Sequence, residues 1–259
     1  MTYKMRTILS LIIIIIFTLL FSACDLFLES TPAPPATLVD EVTPGQPDPG
    51  SVGLPDMPDK PEPVVETFKG CPPEGDGGDA IQNRLKNRVD EAEWIPVEFD
   101  AIMGLTWPRD IERRDRENWS AEDTAFIAQY EGLPVSAEGY LAGAKVSGAE
   151  STNCQSDEHR DYHVWLTRDP VGNDRTQSIV TEPTPRSRAK HPGWNTELLK
   201  QVSADQLRVR ISGWLFFDPE HPEQIGQTRG TLWEIHPVME IEVLIAGQWV
   251  TLDDLANQQ

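Results

Sequence analysis

Three cysteines among 259 residues are too few for a four-thiolate zinc site or a dense disulfide scaffold, so an apolar core must hold the fold. Basic residues are scarce as well. Against 42 Asp and Glu stand only 22 Lys and Arg, a net charge of −20. Non-specific nucleic-acid binding draws its affinity from Lys and Arg neutralising phosphates, so this balance opposes a polyanionic partner. No nucleophile elbow G-x-S-x-G, phosphate loop or H-E-x-x-H helix occurs. What is present is a 39% hydrophobic fraction with eight Trp, enough to build a core.

Lys4 and Arg6 precede an apolar run from Ile8 to Phe21 that holds five consecutive isoleucines, the pattern of an export signal over residues 1–23. The run is too short to span a bilayer, since its residues cover about 21 Å as a helix against roughly 30 Å of hydrocarbon. Phe21-Ser22-Ala23-Cys24 resembles the lipobox of bacterial lipoproteins, with Phe where Leu is commoner. That resemblance implies cleavage before Cys24 and acylation of its thiol with chains such as palmitate, and in some bacteria of the new amino group. Two or three acyl chains, at about 0.8 kcal/mol per buried CH₂, make a firm anchor. Asp25 resembles the inner-membrane retention signal of enterobacterial lipoproteins.

Residues 24–69 read as a tether. Ten of the 22 prolines fall between Pro32 and Pro63, and the stretch has nine acidic residues and two Lys. Such a segment has too little apolar surface to offset the entropy of ordering, and its prolines favour extended geometry. The rest of the chain, from Gly70 onward, is about one domain in length.

Residues 70–130 read as an irregular, partly helical collar. Cys71-Pro72-Pro73 and the glycines after it are turn chemistry. Ala80 to Val89 suggests a short helix with Ile81, Leu85 and Val89 on one side, and Ser120 suits the N-cap of a second. Residues 131–259 read as a β domain. Strands are expected at Leu133–Val146, Tyr162–Leu166, Ser178–Thr181, Leu207–Phe217 and Trp233–Leu244, with a helix at Trp194–Val202 and a closing piece at Trp249-Val250. Five strands, a helix between the third and fourth, and glycines Gly139 and Gly143 in a long first strand give the order of an OB-fold barrel. A β-sandwich is the alternative.

Glu131-Gly132-Leu133-Pro134-Val135, Asp161-Tyr162-His163-Val164-Trp165-Leu166, Glu182-Pro183-Thr184-Pro185-Arg186, Ser212-Gly213-Trp214-Leu215 and Trp233-Glu234-Ile235-His236-Pro237-Val238 resemble stretches of a group of exported bacterial proteins with an OB-like core. The resemblance spans about Cys71 to Val243. It implies the fold and an exported location, and no activity.

Cys71 and Cys154, the thiols left once Cys24 is lipidated, are expected to pair in an oxidising compartment. Strand alternation puts His163 with Trp165 on one face and Glu234 with His236 on one face. His163, His221 and His236 with Asp218 are the candidate ligands of a divalent metal such as zinc, and Glu182 is a candidate base. Structural histidines in strands are commoner than ligands, so the first expectation is no metal. Glu182 and Arg186 invite comparison with the exported nuclease built on an OB barrel, but the second arginine and basic groove are missing. Trp165, Trp214 and Trp233 are candidates for an exposed platform, with Leu166, Leu215 and Ile235 expected on the opposite face.

These readings lead to a lipid-anchored extracytoplasmic binding module of the bacterial cell membrane, engaging an envelope protein, peptide or glycan through an OB-like face. The alternative is a metal-dependent hydrolase using His163, His221, His236 and nearby carboxylates, with a catalytic set drawn from His163, Glu182, Arg186, Glu234 and His236.

Overall fold

The computed structural model describes Leu54 and residues 60–258. The expected export signal, Cys24 and most of the expected tether lie outside the described residues. Among those described, no helix is long and apolar enough to cross a membrane.

Seven strands make one sheet: β1 Ile95–Val97, β2 Pro134–Val146, β3 Tyr162–Thr167, β4 Ile179–Thr181, β5 Arg208–Phe217, β6 Trp233–Ile245 and β7 Gln248–Thr251. Five of them close a barrel in the order β2-β3-β4-β6-β5, with β5 pairing back onto β2. All barrel pairings are antiparallel except β4 with β6. This is the OB order, and closure of β5 onto β2 rules out the β-sandwich alternative. β1 adds to β2 in parallel and β7 to β6 in antiparallel, both outside the barrel.

β2 serves two neighbours because it bends. Its first half, from Pro134 to Tyr140, pairs β5, and its second half pairs β3, with a bulge between Leu141 and Ala144. A Cβ on Gly139 would come 2.4 Å from the Thr167 carbonyl oxygen, and Gly143 has φ +101°. Both positions therefore require glycine.

Val135, Ala137, Val164, Leu166, Ile179, Val209, Ile211, Leu215, Phe217, Trp233 and Ile235 fill the barrel. One end is stopped by α5, Thr196–Ala204, N-capped by Asn195, which buries Leu198, Leu199 and Val202. The collar supplies α1 Ala80–Lys86, α2 Phe99–Met103 and α3 Ala121–Ile127, the last capped by Ser120 as its sequence suggests. Short helices α4 Pro185–Arg188 and α6 Leu252–Ala256 complete the fold.

Two expectations need correction. First, α1 does not bury an apolar side. Ile81 is 51% exposed, whereas Gln82, Asn83 and Lys86 are buried, because the helix packs against polar loops: Asn83 Nδ2 donates to the carbonyls of Glu74 and Gly77. Second, Trp233 and Ile235 do not face opposite ways. Being two residues apart on one strand, both point into the barrel.

The end of the stretch read as tether lies on the domain. Lys60 Nζ donates to Glu131 O at 2.7 Å, Val65 bridges Arg88, and Phe68 bridges Cys71. Cys71 and Cys154 form a disulfide with Cα atoms 5.7 Å apart, joining the collar to the β2–β3 connection. Its sequence separation of 83 residues makes it a long-loop crosslink, worth about 2–4 kcal/mol.

Candidate functional site

A row of three residues crosses the outer face of the barrel. Val164 pairs Thr181 across β3 and β4, and Thr181 pairs Ile235 across β4 and β6. One step further along each strand brings His163, Glu182 and His236 abreast. Alternation then points all three away from the core that Val164 and Ile235 fill. Backbone bonds Glu182 N to Ile235 O and Val238 N to Glu182 O, each 3.0 Å, hold that register past the end of β4.

The row continues as a chain of charges. His163 Nε2 lies 2.8 Å from Glu182 Oε1, and His236 Nδ1 lies 3.5 Å from both Glu182 Oε2 and Glu234 Oε2. Arg229 then spans Glu234 at 2.8 Å and Asp218 at 2.9 Å. On the far side His236 Nε2 faces Asp161 Oδ2 at 3.9 Å, and Asn153 donates to the other Asp161 oxygen at 3.1 Å. Neither ring nitrogen of His236 has a hydrogen-bond partner, and neither does Glu182 Oε2.

Burial and charge compete at each group. Burial pushes the Asp161 carboxyl up to about 6, with Glu150 adding to the rise. Burial would also raise Glu182, but His163 and His236 outweigh it and hold that carboxyl well below its usual range. For His163 and His236, burial favours the neutral ring, yet the Glu182 carboxylate prevails and raises both. Lys86 is held protonated despite its burial by Glu150, Asp218, Glu182 and Glu234.

His163 and Glu182 of this row form part of one wall of a cleft of about 530 Å³ between α1 and the barrel, with His236 buried behind them. α1 contributes Gln82, Asn83 and Lys86; the β2–β3 connection contributes Glu150, Ser151 and Thr152; the β5–β6 connection contributes Asp218, Glu220 and His221; β3 contributes His163, and Glu182 comes from just past β4. Those two connections and that face are where OB barrels bind ligands. Lys86, 8% exposed, makes no hydrogen bond to the described residues, and the Thr152 hydroxyl is buried without a partner. Ligand atoms of Glu150, His163 and Glu182 all lie within 4.8 Å of one another, as do those of Asp161, Glu182 and His236.

Sequence reasoning selected His163, Glu182, Glu234 and His236, and the fold brings these together. His221 does not join them. It sits at the cleft mouth, half exposed, 3.7 Å from Glu223, because its loop carries it beyond the row. Asp218 lines the cleft but is tied to Arg229. Arg186 is a buried clamp, donating to Asn87, Asn153 and the Cys71 carbonyl on the disulfide side.

The tryptophan platform is absent, because each ring is covered. Trp165 faces outward but lies under the Arg175 guanidinium, 3.5 Å from the ring centroid. Trp214 is covered by Arg88 at 3.3 Å and by the edge of Trp94. Trp233 is inside the barrel against Phe217.

Lys86, Glu150, Asp161 and Arg229 went unselected in the sequence. Asp161 carried a signal, standing two residues before His163, which strand alternation places on the same side. A lone Lys in a helix and a lone Glu in a loop carry none. No family model, curated protein or solved structure matches this chain.

Proposed function

We propose that this chain is a lipid-anchored extracytoplasmic protein of the bacterial envelope that binds a hydroxyl- or amine-bearing glycan in the cleft between α1 and the barrel. The observation that carries the reading is that cleft: a polar hollow on the ligand-binding face of an OB barrel, with the Lys86 ammonium and the Thr152 hydroxyl making no hydrogen bond to the described residues at its wall. Carboxylates at Glu150, Glu182, Asp218 and Glu220 suit sugar hydroxyls and amines as donors, and they repel a polyanion. A nuclease is correspondingly disfavoured. The anchor rests on Lys4, Arg6, the apolar run and the Phe21-Ser22-Ala23-Cys24 sequence.

The test is titration of the protein with soluble neutral, amine-bearing and acidic oligosaccharides by calorimetry. Binding of the first two that Lys86→Met weakens supports the reading. Binding confined to acidic oligosaccharides, or unchanged in that variant, defeats it.

A second reading, hydrolysis in the same cleft, is favoured by the 2.8 Å contact between His163 and Glu182, a paired acid and base at the wall of a ligand-sized hollow. It is tested by turnover that His163→Asn abolishes.

A further inference from the structure

We infer that Glu150, His163 and Glu182 form a binding site for one divalent transition cation, of the zinc or manganese class, at the wall of the cleft. The inference goes beyond glycan binding and does not depend on it.

Two independent features converge. The first is the donor set: two carboxylates and one imidazole whose ligand atoms already lie within 4.8 Å of one another. Around a tetrahedral ion with bonds of about 2.0–2.2 Å, ligand atoms stand about 3.4 Å apart, so closure asks for side-chain shifts of roughly an ångström. The imidazole ligand favours zinc over calcium or magnesium, which take oxygen ligands, and the two carboxylates admit manganese.

The second is unspent bonding capacity. Glu182 Oε2 and the Thr152 hydroxyl are buried at this wall without hydrogen-bond partners, and Lys86 beside them makes no hydrogen bond to the described residues, its ammonium lying 5.6 Å from the Phe216 ring centroid. Buried polar groups are normally satisfied, so several left open around one hollow point to something that enters it.

The three ligands come from different elements. His163 lies on β3, Glu182 follows β4, and Glu150 lies on the β2–β3 connection. The disulfide at Cys154, four residues after Glu150, fixes that connection to the collar. With three protein ligands, a tetrahedral ion keeps a fourth position open toward the cleft.

The test uses the full-length chain in detergent micelles, stripped with EDTA and then titrated with zinc or manganese chloride. One ion per chain by elemental analysis after dialysis, together with a melting temperature that rises on adding the ion, is the expected result. Glu150→Gln, at the half-buried rim, should keep the fold while weakening binding at least tenfold, the lower bound for losing even an outer-shell partner. His191→Asn, which changes a histidine paired with Asp253 away from the cleft, should bind as the parent does. No retained ion of either kind overturns the inference. So does binding that Glu150→Gln and Glu182→Gln leave unchanged, or binding that His191→Asn removes.

Discussion

Glu182 stands between two histidines that the sequence places 73 residues apart, His163 at 2.8 Å from one carboxylate oxygen and His236 at 3.5 Å from the other. Because burial makes any one of these charges costly alone, the three groups depend on one another.

The pH dependence follows from those groups. Asp161 is at about 6 in the fold and near 3.9 when unfolded, so between these values the folded chain holds the extra proton and stability falls as pH rises. His163 and His236 are raised above their ordinary value, so their contribution is full below about 6.5 and is lost as pH rises through the folded values. Glu182 and Asp218 are lowered, and their contribution disappears only as pH falls through their folded values, below the ordinary carboxylate range. In chelator the melting temperature should therefore decline from pH 5 to pH 8. Asp161→Asn should flatten the part of the curve between about 4 and 6. A melting temperature that climbs over pH 5 to 8 would contradict this assignment.

Arg229 pairs two carboxylates from the ends of β5 and β6, and all three side chains are buried. Arg229→Met should cost about 3–5 kcal/mol in urea unfolding, because it leaves Asp218 and Glu234 uncompensated. In an Asp218→Asn, Glu234→Gln background the same change should cost much less. Equal costs in both backgrounds would mean that packing of the arginine stem, and not its charge, matters.

Reduction of Cys71–Cys154 should lower stability by about 2–4 kcal/mol and loosen the β2–β3 connection that carries Glu150. Amide exchange resolved by residue should show faster exchange at 150–156 after reduction, with β5 and β6 unchanged. Uniform loss of protection across the barrel would instead make the bridge a global determinant.

Trp165→Ala should destabilise the domain by about 3–5 kcal/mol while leaving glycan affinity unchanged, since Arg175 covers the ring and no part of it lines the cleft. Cys24→Ser should release the protein from the membrane fraction into the soluble extracytoplasmic fraction. Membrane retention of that variant would remove the basis for the lipid anchor.

Alternation and turn chemistry are local, so the sequence by itself determined the five strands, the helix before β5, the bend glycines and the Ser120 cap. It also marked His163, Glu234 and His236 as polar residues on otherwise apolar strands, and Glu182, just past the third strand, as a candidate base. It erred on α1, where period-four apolar residues suggested a buried side that the structure gives to Gln82, Asn83 and Lys86. Helix periodicity records which residues are alike, and what a helix packs against is a tertiary fact.

Only the tertiary structure decided that the pairs His163 with Trp165 and Glu234 with His236 share one face. Their meeting depends on the parallel pairing of β4 with β6, a contact between residues far apart in sequence that no local pattern encodes. The same closure brought Lys86, Glu150 and Arg229 to the row, each from a different connection or helix, and covered Trp165 and Trp214 with arginines. Side-chain type is written in the chain, but burial, charge neighbours and the cleft arise from which distant segments pack together.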